Sequence, residues 1–102
     1  MGWASRYIEK LLAGETVQFR PHGNSMSGKV ENGELVTVEP VSDSRMLAVG
    51  DIVLCKVHGR EFLHLVKGIR RGSTTLFQIG NNRGHINGWT SNIFGKCTKV
   101  EP

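Results

Sequence analysis

The sequence predicts a mainly β domain, a small, coiled, partly closed antiparallel fold with one short N-terminal helix. Three observations carry this. Val, Ile and Thr number 22 against 3 Ala, and β-branched side chains suit a pleated surface better than a helical turn. Thirteen glycines are spread along the chain, as a fold with many tight turns requires. Six or seven short apolar or alternating runs are separated by turn residues. The length of 102 residues suits a single domain. Half of the residues are Ala, Val, Ile, Leu, Met, Phe, Trp, Cys or Gly, a balance that excludes a disordered or fibrous chain.

Trp3, Tyr7, Ile8, Leu11 and Leu12 fall on one helical face, and Gly14 stands where a left-handed C-terminal cap belongs. Residues 1–15 therefore read as an amphipathic helix docked on a β domain of residues 16–102. From Thr16 to Arg20 the period changes to two, and Pro21, Gly23 and Asn24 end that strand. Leu35 to Glu39 is the second strand, closed by Pro40, and Ser42 to Arg45 reads as loop. Gly50-Asp51 leads into Ile52 to Val57, an apolar run typical of a buried strand. His58-Gly59 fits a two-residue hairpin turn, because Gly accepts the positive φ such turns need. The return strand is Glu61 to Ile69, followed by a turn over Arg70 to Thr74 and a strand from Thr75 to Ile79. Gly80 to Trp89, rich in Asn and Gly, reads as loop, and Ile93 to Val100 is the last strand.

Thirteen Lys and Arg against nine Asp and Glu leave a net charge of +4. No like-charge block exceeds Arg70-Arg71, so the charge is compatible with nucleic-acid contact without demanding it. Phe19, Phe62 and Phe77 stand one per strand, whereas a base-stacking surface needs aromatics at alternating positions. Nucleic acid is therefore less favoured as a partner than a peptide or protein. Cys55 and Cys97 show neither the density of a disulfide scaffold nor the spacing of a zinc site. Reduced thiols, no metal and no cofactor are the expectation. No apolar run approaches the ~20 residues of a membrane span, and Met-Gly-Trp-Ala-Ser-Arg lacks the hydroxyl residue of a myristoylation signal at position six. A cytoplasmic protein without a membrane span is expected.

Gly23-Asn24-Ser25-Met26 places a serine on a glycine-loosened turn just after a strand. A serine hydroxyl is a poor nucleophile until a base takes its proton. Candidate bases are His22, His58, His64, His85 and Lys67. His64 lies mid-strand in Phe-Leu-His-Leu-Val, on the same face as Phe62 and Val66. A fixed ring with a suppressed charge there suits a general base. A hydrogen-bonded core histidine is the alternative reading of the same position.

The order Gly-Asn-Ser-Met, Gly-Glu-Leu-Val-Thr-Val, Val-Gly-Asp-Ile-Val-Leu and Phe-Leu-His-Leu-Val-Lys-Gly-Ile resembles the superfamily of LexA-type repressors and type I signal peptidases. Ile-Gly-Asn-Asn-Arg resembles the Gly-Asp-Asn box of those proteins, and Phe94-Gly95-Lys96 their closing glycine strand. The likeness runs from about Phe19 to Val100. It implies peptide-bond cleavage with Ser25 as nucleophile and His64 as base, closest to the Ser-His branch found in endoplasmic-reticulum signal peptidases. Lys67, three residues along the strand from His64, points to the opposite face. Backbone N–H groups of Asn24, Ser25 and Met26 would hold the oxyanion. Ser27-Gly28 stands where family members usually carry proline. Asn81, Asn82 and Asn87 fall in the acid-bearing region, and one of them is expected to orient His64 or brace the Ser25 turn.

Two functions follow. One is a serine peptidase-like protein whose Ser25–His64 dyad hydrolyses a peptide bond supplied in trans, with the two groups within about 4 Å. The other is a non-catalytic binding module on the same fold, contacting a peptide, protein or nucleic acid, since no carboxylate stands between Glu61 and Glu101. Ala13-Gly14 resembles the bond that LexA-type repressors cut in themselves. Here Ser25 stands 11 positions after Gly14, roughly 36 Å if fully extended, and the strand at residues 16–20 uses much of that reach.

Overall fold

A computed structural model describes residues 2–102. The chain forms α1 (Ser5–Leu12), β1 (Val17–Phe19), β2 (Leu35–Pro40), a 3-10 turn (Ser44–Met46), β3 (Ile52–Val57), β4 (Arg60–Arg70), β5 (Leu76–Gly80), β6 (Ile86–Thr90) and β7 (Ile93–Glu101). All seven strands join one antiparallel sheet in the order β1-β2-β7-β3-β4-β5-β6. The mainly β architecture expected from composition is the one observed. None of the described helices is long and apolar enough to cross a membrane.

The sheet is open at β1 and β6, yet its β6 end curls back on itself. β4 is long enough to pair with β3 through its first half and with β5 through its second. Between the two, Val66 faces Ile79 and Gly68 faces Gln78, so Lys67 is an extra residue in a β-bulge. A bulge bends its strand and sharpens the right-handed twist. The β5–β6 hairpin therefore swings toward β3. Thr90 Oγ1 donates to Lys56 O at 2.6 Å, and a Cβ on Gly88 would stand 3.1 Å from Val57 and His58 atoms.

The segment over residues 86–90, read as loop from its Asn and Gly content, is a strand. Asn81 starts the turn that makes it one: its Oδ1 accepts from the N–H groups of Arg83 and His85, and Gly84 has φ +88°. This Asx-type turn reverses the chain and feeds Ile86 into pairing with Gly80. The 42–45 loop likewise contains a short 3-10 turn, started by Asp43 accepting from Arg45 N–H. The hairpin at His58-Gly59 takes the two-residue form, with φ of 50° and 80° and Val57 facing Arg60.

Two apolar clusters lie on opposite faces of the sheet. One joins Ile8 and Leu11 of α1 to Val17, Phe19, Val36, Val38, Leu54 and Leu63. The other holds Val53, Cys55, Val57, Val66, Phe77 and Ile79. α1 ends as its sequence indicates: Gly14 N–H reaches Leu11 O, and Glu15 N–H reaches Lys10 O, which satisfies the last helical carbonyls. Its start is held from a distance. Buried Glu61 on β4 accepts from Ala4 N–H at 2.6 Å and from Ser5 Oγ at 2.7 Å, while Trp3 Nε1 donates to Glu61 O at 3.2 Å. Tyr7 stacks on Phe19 with ring centroids 4.4 Å apart. Replacing Glu61 with alanine leaves the buried Ala4 N–H without its acceptor. We expect a loss of about 2–4 kcal/mol in urea unfolding, with Glu61→Gln losing less.

Candidate active site

Ser25 sits in the connection from β1 to β2, which closes on itself. Gly33 N–H donates to Pro21 O and Gly23 N–H to Asn32 Oδ1. Met26 and Val30 anchor this loop in the core, while Ser25, just before the first anchor, is exposed. Burying Met26 therefore fixes where the Ser25 side chain is offered. Asn82 fastens the same turn from the β5–β6 side, donating from its backbone N–H to Ser25 O (2.8 Å) and from Nδ2 to Ser27 O (2.7 Å). Gly28 makes room, since a Cβ there would come 3.1 Å from Asn82 Nδ2 at φ +96°.

His64 lies in the middle of β4 and is 8% exposed. Its ring is held on three sides. Phe62 stacks against it with centroids 4.9 Å apart. Nδ1 meets Asn87 Oδ1 at 2.7 Å, and Nε2 meets Ser25 Oγ at 3.2 Å. An amide oxygen only accepts, so Nδ1 carries the proton and Nε2 presents its lone pair to the Ser25 hydroxyl. This is the tautomer a general base needs.

Electrostatics favour the neutral imidazole. Burial pulls the His64 pKa below its ordinary 6.5, the Asn87 hydrogen bond raises it in part, and the nearby His85 lowers it. His64 is therefore neutral at pH 7. It takes up its proton at lower pH in the folded protein than in the unfolded chain. The stability tied to the neutral form is thus complete above about 6.5 and is lost as pH falls toward the folded value. Reactivity of Ser25 toward a serine-directed fluorophosphonate should follow the same proton. Rates measured from about pH 5 to pH 8 are expected to rise to a plateau with a midpoint below 6.5. A midpoint at or above that value would contradict a buried neutral base.

Of the residues singled out in the sequence, Ser25, His64, Asn82 and Asn87 come together. Asn81 does not reach the dyad, because its Oδ1 serves its own turn. Lys67 stands at the bulge with its stem against Gly80 and does not line the groove beside Ser25. His22 lines that groove, His85 is exposed, and His58 packs against Gly88 at the hairpin. The N–H groups of Asn24, Ser25 and Met26 have no protein acceptor among the described residues. Burial pushes the Cys55 thiol up to about 12, with Sγ donating to Phe62 O. Cys97 is raised by burial as well, so neither thiol is a thiolate nucleophile at neutral pH. The described residues include no group of three His, Cys, Asp or Glu side chains placed to hold a metal ion.

Comparison of the chain with protein-family models, curated proteins and solved structures finds no match. The functional reading accordingly stands on the geometry of the site. A groove of about 840 Å³ opens beside Ser25 and His64 and runs toward Arg60 and Trp3. Sequence reasoning missed Glu61 and Trp3, the residues that build its far wall. Their signal is weak, since an acid in a strand and an aromatic near a terminus are each ordinary.

Proposed function

We propose that the protein is a serine peptidase-like hydrolase acting on a peptide supplied in trans, akin to the LexA and signal peptidase superfamily. The observation that carries this is the Asn87–His64–Ser25 hydrogen-bonded chain. In the mechanism, His64 Nε2 takes the Ser25 hydroxyl proton as Oγ attacks the peptide carbonyl carbon. The resulting oxyanion is held by the free N–H groups at Asn24, Ser25 and Met26. His64 then gives its proton to the leaving amine, and the C–N bond breaks to an acyl-serine. Water attacks that ester with His64 again as base, releasing the carboxylate product and restoring Ser25. Asn87 fixes the imidazole orientation but adds no charge to stabilise the imidazolium, so turnover is expected to be slow.

An extended peptide has a natural place to lie. Residues 60–64 of β4 pair with β3 on one edge, while pairing with β5 begins only at Leu65. Apart from Glu61 O, which Trp3 Nε1 already occupies, the open edge offers main-chain partners, the general mode by which a strand is added to a sheet. Two free thiols fit a reducing, cytoplasmic setting. Cleavage of a peptide mixture, followed by mass spectrometry, tests the reading through products absent with Ser25→Ala. Peptide binding with no Ser25-dependent product would favour the binding module, to which the missing carboxylate next to His64 already points.

The substrate bond is not Ala13-Gly14 of the same chain. That bond lies in the hydrogen-bonded cap of α1, with Ala13 at φ −84° and ψ 3° and the Gly14 N–H bound to Leu11 O. A peptidase needs an extended bond. Intact-mass measurement after long incubation at mildly alkaline pH should show the unchanged chain. A Ser25-dependent fragment beginning at Gly14 would contradict this.

A further inference from the structure

We infer that the groove beyond the dyad selects peptides with an acidic side chain, recognised by Arg60. The inference rests on the proposed peptidase reading only for where the scissile bond lies. Its basis is the unspent charge of the groove. Four charged side chains line it besides the histidines: Glu31, Lys56, Arg60 and Glu61. Both carboxylates are engaged. Glu61 is bound by Ala4 N–H and Ser5 Oγ, and Glu31 Oε2 accepts from Gly28 N–H at 2.7 Å. Neither cation forms an ion pair among the described residues.

The cations also have defined places. Arg60 and Phe62 share the β4 face that carries His64, and the Arg60 guanidinium lies over the Phe62 ring at 5.7 Å. That stacking orders a flexible side chain, so less freedom is lost when it pairs with a carboxylate. Lys56 faces Glu61 across the β3–β4 ladder, on the sheet face opposite Arg60, so Arg60 is the cation on the His64 side. Trp3 closes the far wall through its bond to Glu61 O. His64 stands four positions beyond Arg60, roughly 13 Å along a strand. The selected acid therefore belongs about three to five residues from the scissile bond. The rim carboxylate of Glu31 and the wall carboxylate of Glu61 disfavour a run of phosphates, so a peptide fits better than a nucleic acid.

Fluorescent peptides identical but for a single Glu or Lys, scanned through each position, test this on folded Ser25→Ala protein by polarisation. The expected result is about fivefold tighter binding of Glu over Lys at one position, the upper range for an ion pair at an exposed arginine. Arg60→Gln, which keeps most of the stem, should erase the preference, and Lys56→Met, on the opposite face, should leave it in place. Arg60→Glu should shift it toward the Lys peptide, a gain that misfolding cannot produce. Equal binding of Glu and Lys peptides at every position would overturn the inference. So would tighter binding of oligo-dT, or binding of a phosphoserine peptide without binding of the Glu peptide. The peptidase reading fails separately. Wild-type protein that forms no serine adduct, while Ser25→Ala keeps its Glu preference, loses that reading and leaves the acidic subsite standing.

Discussion

Fluorophosphonate labelling of Ser25 in a His64→Ala variant should be slower than in the wild-type protein by about 10²- to 10⁴-fold, the usual contribution of a positioned base. The Ser25 hydroxyl has one ring nitrogen in hydrogen-bond reach, His64 Nε2 at 3.2 Å, and Lys67 stands away at its bulge. Truncating His64 also removes a buried ring from its stack with Phe62, so some stability will go with it. His64→Gln separates the two effects. It keeps most of the volume and a hydrogen-bonding amide but has no basic nitrogen. Slow labelling in a His64→Gln protein that melts as a folded domain assigns the loss to the base. Wild-type labelling in that variant would remove His64 from the mechanism.

Asn87→Asp should do the opposite and raise the labelling rate by about 10²-fold or more. In a serine triad the change from aspartate to asparagine costs about 10⁴-fold. Here the amide already supplies orientation, with Oδ1 2.7 Å from His64 Nδ1, and lacks only charge. A carboxylate at the same position stabilises the imidazolium that forms as Ser25 attacks, and it raises the His64 pKa. The pH midpoint of labelling should therefore move up along with the plateau rate. Asn81→Asp serves as the control. Its Oδ1 faces the N–H groups of Arg83 and His85, where a carboxylate accepts equally well, so its rate should stay near wild type. An unchanged rate in Asn87→Asp would mean that Asn87 shapes β6 without tuning His64.

The Ser25–His64 hydrogen bond was legible in the sequence because both residues sit where local rules are strong. Strand alternation puts His64 on the Phe62 face, and the Pro21–Gly23 break ends β1 just before Ser25. The hairpin at His58-Gly59 was legible for the same reason, since the turn chemistry is local. Which asparagine would face His64 was not. Asn81, Asn82 and Asn87 lie within seven residues of one another and look alike as turn formers. What separates them is the bulge at Lys67, which swings β6 back over β3 and lays Asn87 beside the ring. A bulge depends on pairing across strands and leaves little trace in one strand alone. β6 itself was hidden by the low strand propensity of Asn87 and Gly88. Glu61 was hidden by distance, because its partners Ala4 and Ser5 lie 57 and 56 residues away.

Intact-mass spectrometry of the wild-type protein after fluorophosphonate treatment at pH 7 tests the central claim most directly. At that pH His64 is neutral and Nε2 is free to take the Ser25 proton. A single adduct is expected, mapped by peptide digestion to Ser25 and absent from Ser25→Ala. Wild-type protein that stays unmodified, in a mixture where a known serine hydrolase labels completely, would contradict it.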